Sequence, residues 1–213
     1  MKKTLTLLIF FQFFAALVFA QKSFEGEVVY SISIKSNTPK FTDAQLSSIM
    51  GTTQHYYMKG ANYKSVLNGK MSQWEIYVNK NKKVYNKIAS NDSILWNDVT
   101  INHDTIYKVN LKKNDTTILG YKCDKLTFTC NRGIEIYYFN PQFVVDPRLY
   151  INHQEGNWYA FLEKSRSIAL KEIMQKKYFT FTLTAVSVKR KPIDDKLFEL
   201  PPNMPLTKSK VNL

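Results

Sequence analysis

The sequence predicts a mainly β (α+β) chain: an antiparallel meander forming a half-open barrel, with one or two short covering helices. Three observations predict it. Short runs of β-favouring residues recur about every ten positions, each closed by turn chemistry, which is the pattern of an up-and-down β architecture. The composition, with 13 Tyr and 14 Phe against 7 Gly and 7 Pro, favours strands and a packed core over disorder. Residues 118–140 read as a hairpin whose connection, Asn131-Arg132-Gly133, joins two runs rich in apolar, aromatic and β-branched residues.

The N-terminus is set apart first. Lys2 and Lys3 precede an apolar run, 5–20, and Val18-Phe19-Ala20 places small residues at the −3 and −1 positions of a cleavage site before Gln21. This is the pattern of a secretory signal peptide over 1–20. The run is short for a membrane-spanning helix, and no Cys follows it to carry a lipid. The expectation is a secreted or periplasmic protein, not integral to the membrane once the signal is removed. Residues 21–213 then form one domain, long enough for a real core.

The first strand of that domain spans 26–35, with Val28, Tyr30, Ile32 and Ile34 on one parity. A helix follows. Thr42 and Gln45 make a capping box, Phe41 and Leu46 a hydrophobic staple, and Gly51 closes it. Strands are expected at 54–58, 63–67, 73–78, 83–88, 94–99 and 105–111. The breaks between them carry turn residues, among them Asn68-Gly69 and Lys113-Asn114-Asp115. After the central hairpin, 141–156 reads as a loop punctuated by Pro147 and Gly156. A short helix at 157–164 and two last strands, 168–175 and 178–189, complete the domain.

The formal charge is +13, about +11 without Lys2 and Lys3. Such a balance suits acidic partners, including acidic glycans, or a lysine-rich solvent face. The lysines are spread over many turns and strands, which favours the solvent face. Nucleic acid is set aside, because an export signal is present and no nucleic-acid motif is.

Chemistry-bearing motifs are sparse. His55, His103 and His153 lie in distant segments without ligand spacing, so no metal site is expected. No phosphate loop, dinucleotide fingerprint or nucleophile elbow occurs, and no cofactor is implied. Cys123 and Cys130 lie seven positions apart within one expected strand, about 23 Å if extended. A disulfide between them requires a bend or bulge; the alternative is two buried thiols.

Three short segments carry a family resemblance: residues 24–30 (FEGEVVY), 118–123 (ILGYKC) and 198–201 (FELP), in that order. In these the chain resembles secreted, poorly characterised envelope proteins of LolA-like fold and, near them, the GLPGLI family. The GLPGLI signature itself is absent; 143–147 (FVVDP) stands in its place. The resemblance implies a half-open barrel with an apolar cavity, of the kind in which LolA-type carriers shield lipoprotein acyl chains. No residue here matches a functional motif of those carriers.

The aromatics are the remaining source of a site. They either fill an ordinary core or partly line a cavity. The cavity candidates are Tyr30, Trp74, Trp96, Phe128, Tyr138, Trp158, Phe161, Phe179 and Phe181. The expectation is a non-enzymatic protein that binds a lipid, a lipoprotein acyl chain or another amphiphile. The alternative is a structural or interaction protein of the envelope, with a filled core and a basic face for envelope proteins or acidic glycans. An enzyme would need polar groups inside the barrel, and the expected inward parities supply few.

Overall fold

The computed structural model describes residues 22–210, so the signal-peptide reading of 1–20 lies outside the described residues. Twelve strands form one sheet. They are β1 (Gly26–Ser36), β2 (Thr53–Lys59), β3 (Asn62–Leu67), β4 (Ser72–Val78), β5 (Lys83–Ile88), β6 (Ile94–Asp98), β7 (Ile106–Ile118), β8 (Tyr121–Cys130), β9 (Gly133–Val144), β10 (Ser167–Gln175), β11 (Phe179–Arg190) and β12 (Leu206–Lys208). Helix α1 (Asp43–Met50) follows β1, and α2 (Trp158–Ser165) precedes β10.

The order across the sheet is β12-β6-β5-β4-β3-β2-β1-β11-β10-β9-β8-β7. Two meanders, β2 to β6 and β7 to β11, are therefore joined through β1, which pairs antiparallel with both β2 and β11. Only β12 runs parallel, against β6. The two edges, β7 and β12, do not pair with each other. This is the half-open, antiparallel-dominated arrangement expected from the sequence.

Alternation sets the faces. In β1, Val28, Tyr30, Ile32 and Ile34 are buried, as are Leu126 and Phe128 in β8 and Tyr137 and Phe139 in β9. These join one cluster with residues of the 145–165 segment: Val145, Tyr150, Phe161 and Leu162. The segment is held to the sheet by hydrogen bonds. Tyr150 donates its hydroxyl to the carbonyls of Gly60 and Asn62, and the Gln154 amide donates to the Val99 carbonyl at 2.7 Å. Helix α1 has the predicted capping box between Thr42 and Gln45, and its Leu46 and Met50 pack on the same cluster. A second, smaller cluster lies on other strand positions: Ile76, Ile193 and Phe198, with Trp74, Val78 and Tyr57 against them.

Several local expectations give way. The turn residues Lys113-Asn114-Asp115 do not end a strand. β7 runs on to Ile118, and these residues form a bulge, seen as a register shift between Lys112 and Thr116. Asp124 explains why, because its carboxylate accepts from the Asn114 amide at 3.0 Å and from Lys113 Nζ at 2.7 Å. The reversal falls instead at Leu119 and Gly120, both with positive φ (51° and 82°). The expected loop at 141–156 begins later, because β9 continues through Pro141 to Val144 beside a register irregularity against β10. The hairpin at Asn131-Arg132 is as expected. At Gly133 a Cβ would meet the Gln175 carbonyl oxygen at 2.1 Å, so only glycine fits there.

Of the two readings open for the cysteines, a disulfide or two buried thiols, the structure has the buried thiols. Cys123 and Cys130 are free, buried, and at opposite ends of one strand, β8. The bulge between Lys112 and Thr116 lies in the neighbouring strand and does not fold β8 back on itself.

Phe128 is fully buried and stacks edge-on to Tyr137, with ring centroids 5.8 Å apart. Phe128→Ala is expected to destabilise the protein by about 3–5 kcal/mol. Urea unfolding followed by circular dichroism measures this; a loss below about 1 kcal/mol would mean that the site is not packed as described.

Candidate functional site

A cleft of about 420 Å³ opens between the sheet and the 145–165 segment. Its apolar wall includes Met50 from α1, Val84 from β5, Trp158 from α2, Met174 from β10, and Phe179 and Phe181 from β11. It shares Gly156, Met174, Lys176 and Phe179 with a vestibule of about 850 Å³ near the β8–β9 turn. It shares Tyr63, Glu75, Trp158, Met174 and Phe181 with an inner chamber of about 220 Å³, which Gln54, Tyr56, Ser65 and Glu172 also line. Met174 borders all three spaces.

The nine aromatic candidates divide into three groups. Trp158, Phe179 and Phe181 line the cleft. Tyr30, Phe128 and Phe161 line none of the three spaces and are buried in the filled core, so for them the cavity reading is corrected; Phe161 stacks on Tyr137 with centroids 4.4 Å apart, and the Tyr30 hydroxyl donates to the Ala169 carbonyl at 2.6 Å. Trp74, Trp96 and Tyr138 lie elsewhere, and for them too the cavity reading is corrected. Trp74 packs with Ile76 in the smaller cluster. Trp96 lies under Lys83 and Lys208, and Tyr138 under Lys125 and Lys171. The lysine ammonium groups stand over the faces of these rings, with Lys83 Nζ 3.7 Å from the Trp96 centroid, so the aromatics need no interior place.

Polar groups take inward positions that the sequence reading left to apolar residues. In β4 the parity of Trp74, Ile76 and Val78 packs on the tail segment, so Glu75 and Tyr77 turn inward. Glu75 accepts a hydrogen bond from the Tyr63 hydroxyl at 2.9 Å, and His153 Nε2 lies 3.0 Å from the same hydroxyl. Burial raises Glu75 above the ordinary carboxylate value, although the Tyr63 bond works against this. Burial also holds His153 down at about 3, so its ring is neutral at any ordinary pH. In β10, Glu172 is raised to about 8, by burial first and by the charge of Glu135 second. A signal for these groups lies in the sequence: β4 and β9 each carry one glutamate between apolar neighbours, in QWEIY and GIEIY, and β10 carries one between Lys171 and Ile173, in LKEIM.

A second polar cluster stands at the vestibule. Asp104, Cys130 and Glu135 present ligand atoms within 4.8 Å of one another, and all three are buried. The cation that balances them is Lys176, whose Nζ lies 3.1 Å from Asp104 Oδ2 and 2.9 Å from Glu135 Oε1. Burial alone lowers the Lys176 pKa, but the two carboxylates raise it overall. Asn157, in the left-handed conformation at φ 58°, donates to Glu135 Oε2 at 3.1 Å and to Cys130 Sγ at 3.4 Å. The Arg132 amide donates to Asp104 at 3.0 Å. With an ammonium already between the carboxylates, the trio reads as an ion-pair network and not as a ready metal site.

No protein-family model and no curated protein matches the chain, so closeness to the GLPGLI family is not seen. Solved structures similar to it include PNGF-II, at 13% identity and a TM-score of 0.48, over 88% of this chain and 32% of that one. The chain thus spans about a third of the length of PNGF-II. They also include the Mycobacterium tuberculosis lipoprotein LppX (10% identity, TM-score 0.33, 80% and 89% covered). A LolA superfamily protein from Nitrosomonas europaea is a third (10% identity, TM-score 0.38, 85% and 92% covered). At these TM-scores the likenesses lend nothing to a functional assignment.

Two outcomes follow from the site. Lys176→Met leaves Asp104 and Glu135 buried without their cation and is expected to cost about 3–5 kcal/mol in urea unfolding. A neutral result would mean that the network is hydrated and unimportant. The thiols should be inert. Burial, then the charges of Glu135 and Asp104, push Cys130 up to about 12, and burial raises Cys123. Neither should react with iodoacetamide at pH 8 until the protein is unfolded, as mass spectrometry of the labelled protein would show.

Proposed function

We propose that this is an exported cell-envelope protein, not an enzyme, that binds the apolar part of an amphiphile in the cleft. A lipid or a lipoprotein acyl chain is the ligand class. The observation that carries this reading is the cleft itself: an open, apolar-walled space between Trp158 on one side and Met174, Phe179 and Phe181 on the other. Apolar walls with a few polar groups are the usual make-up of a small-molecule site. Localisation outside the cytoplasm rests on the sequence pattern of residues 1–20. No helix of the described residues is long and apolar enough to cross a membrane.

A second reading has its own support. Lysines lie over outward aromatic rings at Trp74, Trp96 and Tyr138, which gives those strand faces a basic surface suited to acidic glycans or an envelope partner. Binding of that kind should weaken as salt rises, whereas binding in the cleft should not.

Native mass spectrometry of the protein purified from its own envelope fraction tests the main reading. The expected result is a bound molecule of defined mass that extracts into organic solvent. Met174→Trp, which fills the space common to all three cavities, is expected to lower its occupancy about tenfold while the circular dichroism spectrum is unchanged. A bare protein mass that stays bare after incubation with lipids and fatty acids would overturn it.

A further inference from the structure

The inner chamber offers more than an acyl chain can use. Gln54 Oε1, Tyr56 OH and Trp158 Nε1 are buried without a hydrogen-bond partner, and all three side chains line this chamber. Tyr56 is only 9% exposed. Buried polar atoms are nearly always paired, so three that converge on one space mark a place for a polar group. Two carboxyl groups face the same space from different parts of the sheet, Glu75 on β4 and Glu172 on β10. The ion pairs of the described residues leave both out. The lysine nearest the cleft, Lys176, is already engaged by Asp104 and Glu135.

We propose that the inner chamber binds a primary ammonium group, the head of an alkylamine-type amphiphile whose chain lies in the cleft. This rests on the reading of the cleft as an amphiphile site and names the head group that it selects. An R–NH₃⁺ group brings three donors and no acceptor. Gln54 Oε1, Glu75 and Glu172 supply acceptors, and the faces of Tyr56, Tyr63 and Trp158 attract a cation. A fatty-acid carboxylate would instead be repelled by each of the two carboxyl groups that is ionised. The Tyr56 hydroxyl and the Trp158 indole N–H remain as donors to a hydroxyl or carbonyl oxygen beside the nitrogen.

Binding is coupled to a proton. Glu172 titrates at about 8 without ligand and must ionise to pair with the ammonium, releasing its proton to solvent. The groups around it hold their charge states. Tyr30, Tyr56 and Tyr137 are all pushed well up by burial and stay neutral, while Lys176 stays charged. His153, behind Tyr63 and Glu75, is neutral throughout. Glu135 adds its negative charge and favours the protonated form of Glu172. Glu75, on the opposing wall, is raised by burial, and its ionisation adds to the same trend.

Calorimetric titration with decylamine, decanol and decanoate at pH 6, 7.5 and 9 tests this. Decylamine keeps its charge over that range, as a lysine amine does, with a pKa of about 10.4. Decylamine is expected to bind tightest. Its affinity should rise about 10- to 100-fold from pH 6 to pH 9, with about three-quarters of a proton released per molecule bound at pH 7.5 in buffers of different ionisation heat. Decanol affinity should be flat with pH. Glu172→Gln should remove the decylamine preference over decanol and its pH slope. The proton count on the unaltered protein gives the same answer if that variant does not fold. If decanol and decanoate bind, and decylamine binds no better at any pH, the ammonium site is wrong and the amphiphile reading stands. If none of the three binds, both fall.

Discussion

Strand β1 is the constraint on which the rest depends. Two meanders, each a run of neighbouring antiparallel strands, become one sheet only because β1 pairs with β2 on one side and β11 on the other. The register is fixed over the whole strand against β11, with one shift between Val29 and Tyr30. At its start the backbones approach so closely that a Cβ on Gly26 would sit 2.1 Å from the Lys189 carbonyl oxygen. The Tyr30 hydroxyl reaches past β11 to the Ala169 carbonyl on β10. A one-residue slip in β1 would turn Val28, Tyr30, Ile32 and Ile34 to the other face and empty the core of its centre.

The sheet so formed is half open, and the chain covers its inner face with a piece of itself. The 145–165 segment occupies part of that face through Tyr150, Phe161 and Leu162. The part it leaves is the cleft, bounded by Trp158 and the strands β10 and β11. The middle of the space is walled mainly by apolar side chains, and its inner end carries Glu75, which also borders the cleft, Glu172 and three buried polar atoms without hydrogen-bond partners. That gradient is what an amphiphile requires of its site. The Asp104–Lys176–Glu135 network stands at the vestibule, tying the segment before β7 and strand β9 to the β10–β11 turn, and the Arg132 amide of the β8–β9 turn donates to Asp104.

Most of the fold was legible in the sequence because alternation and turn chemistry are local. The capping box at Thr42, the Asn131-Arg132 hairpin and the buried parity of β1 needed nothing beyond near neighbours. The errors arose where a distant group intervened. Asp124 turned a sequence that reads as a turn into a bulge at Asn114. In β4 the apolar parity found a partner in Ile193 and Phe198, more than a hundred residues later, so Trp74 faces the tail and Glu75 the interior. Trp96 and Tyr138 are cavity candidates by aromatic content, but lysines stand over them from outside. For the site, aromatic content identified Trp158, Phe179 and Phe181, while its polar half lay in single glutamates within apolar strands.

The central claim is that ligand enters beside Trp158. The chain has three tryptophans, and the other two, Trp74 and Trp96, line none of the cleft's three spaces. Two-dimensional ¹H–¹⁵N spectra resolve each indole N–H as a separate signal, assignable by single Trp→Phe variants. On addition of a ten-carbon amphiphile below its micelle concentration, the Trp158 signal should shift and the other two should hold still. Shifts confined to Trp74 or Trp96 would place binding on the lysine-covered faces and contradict the account.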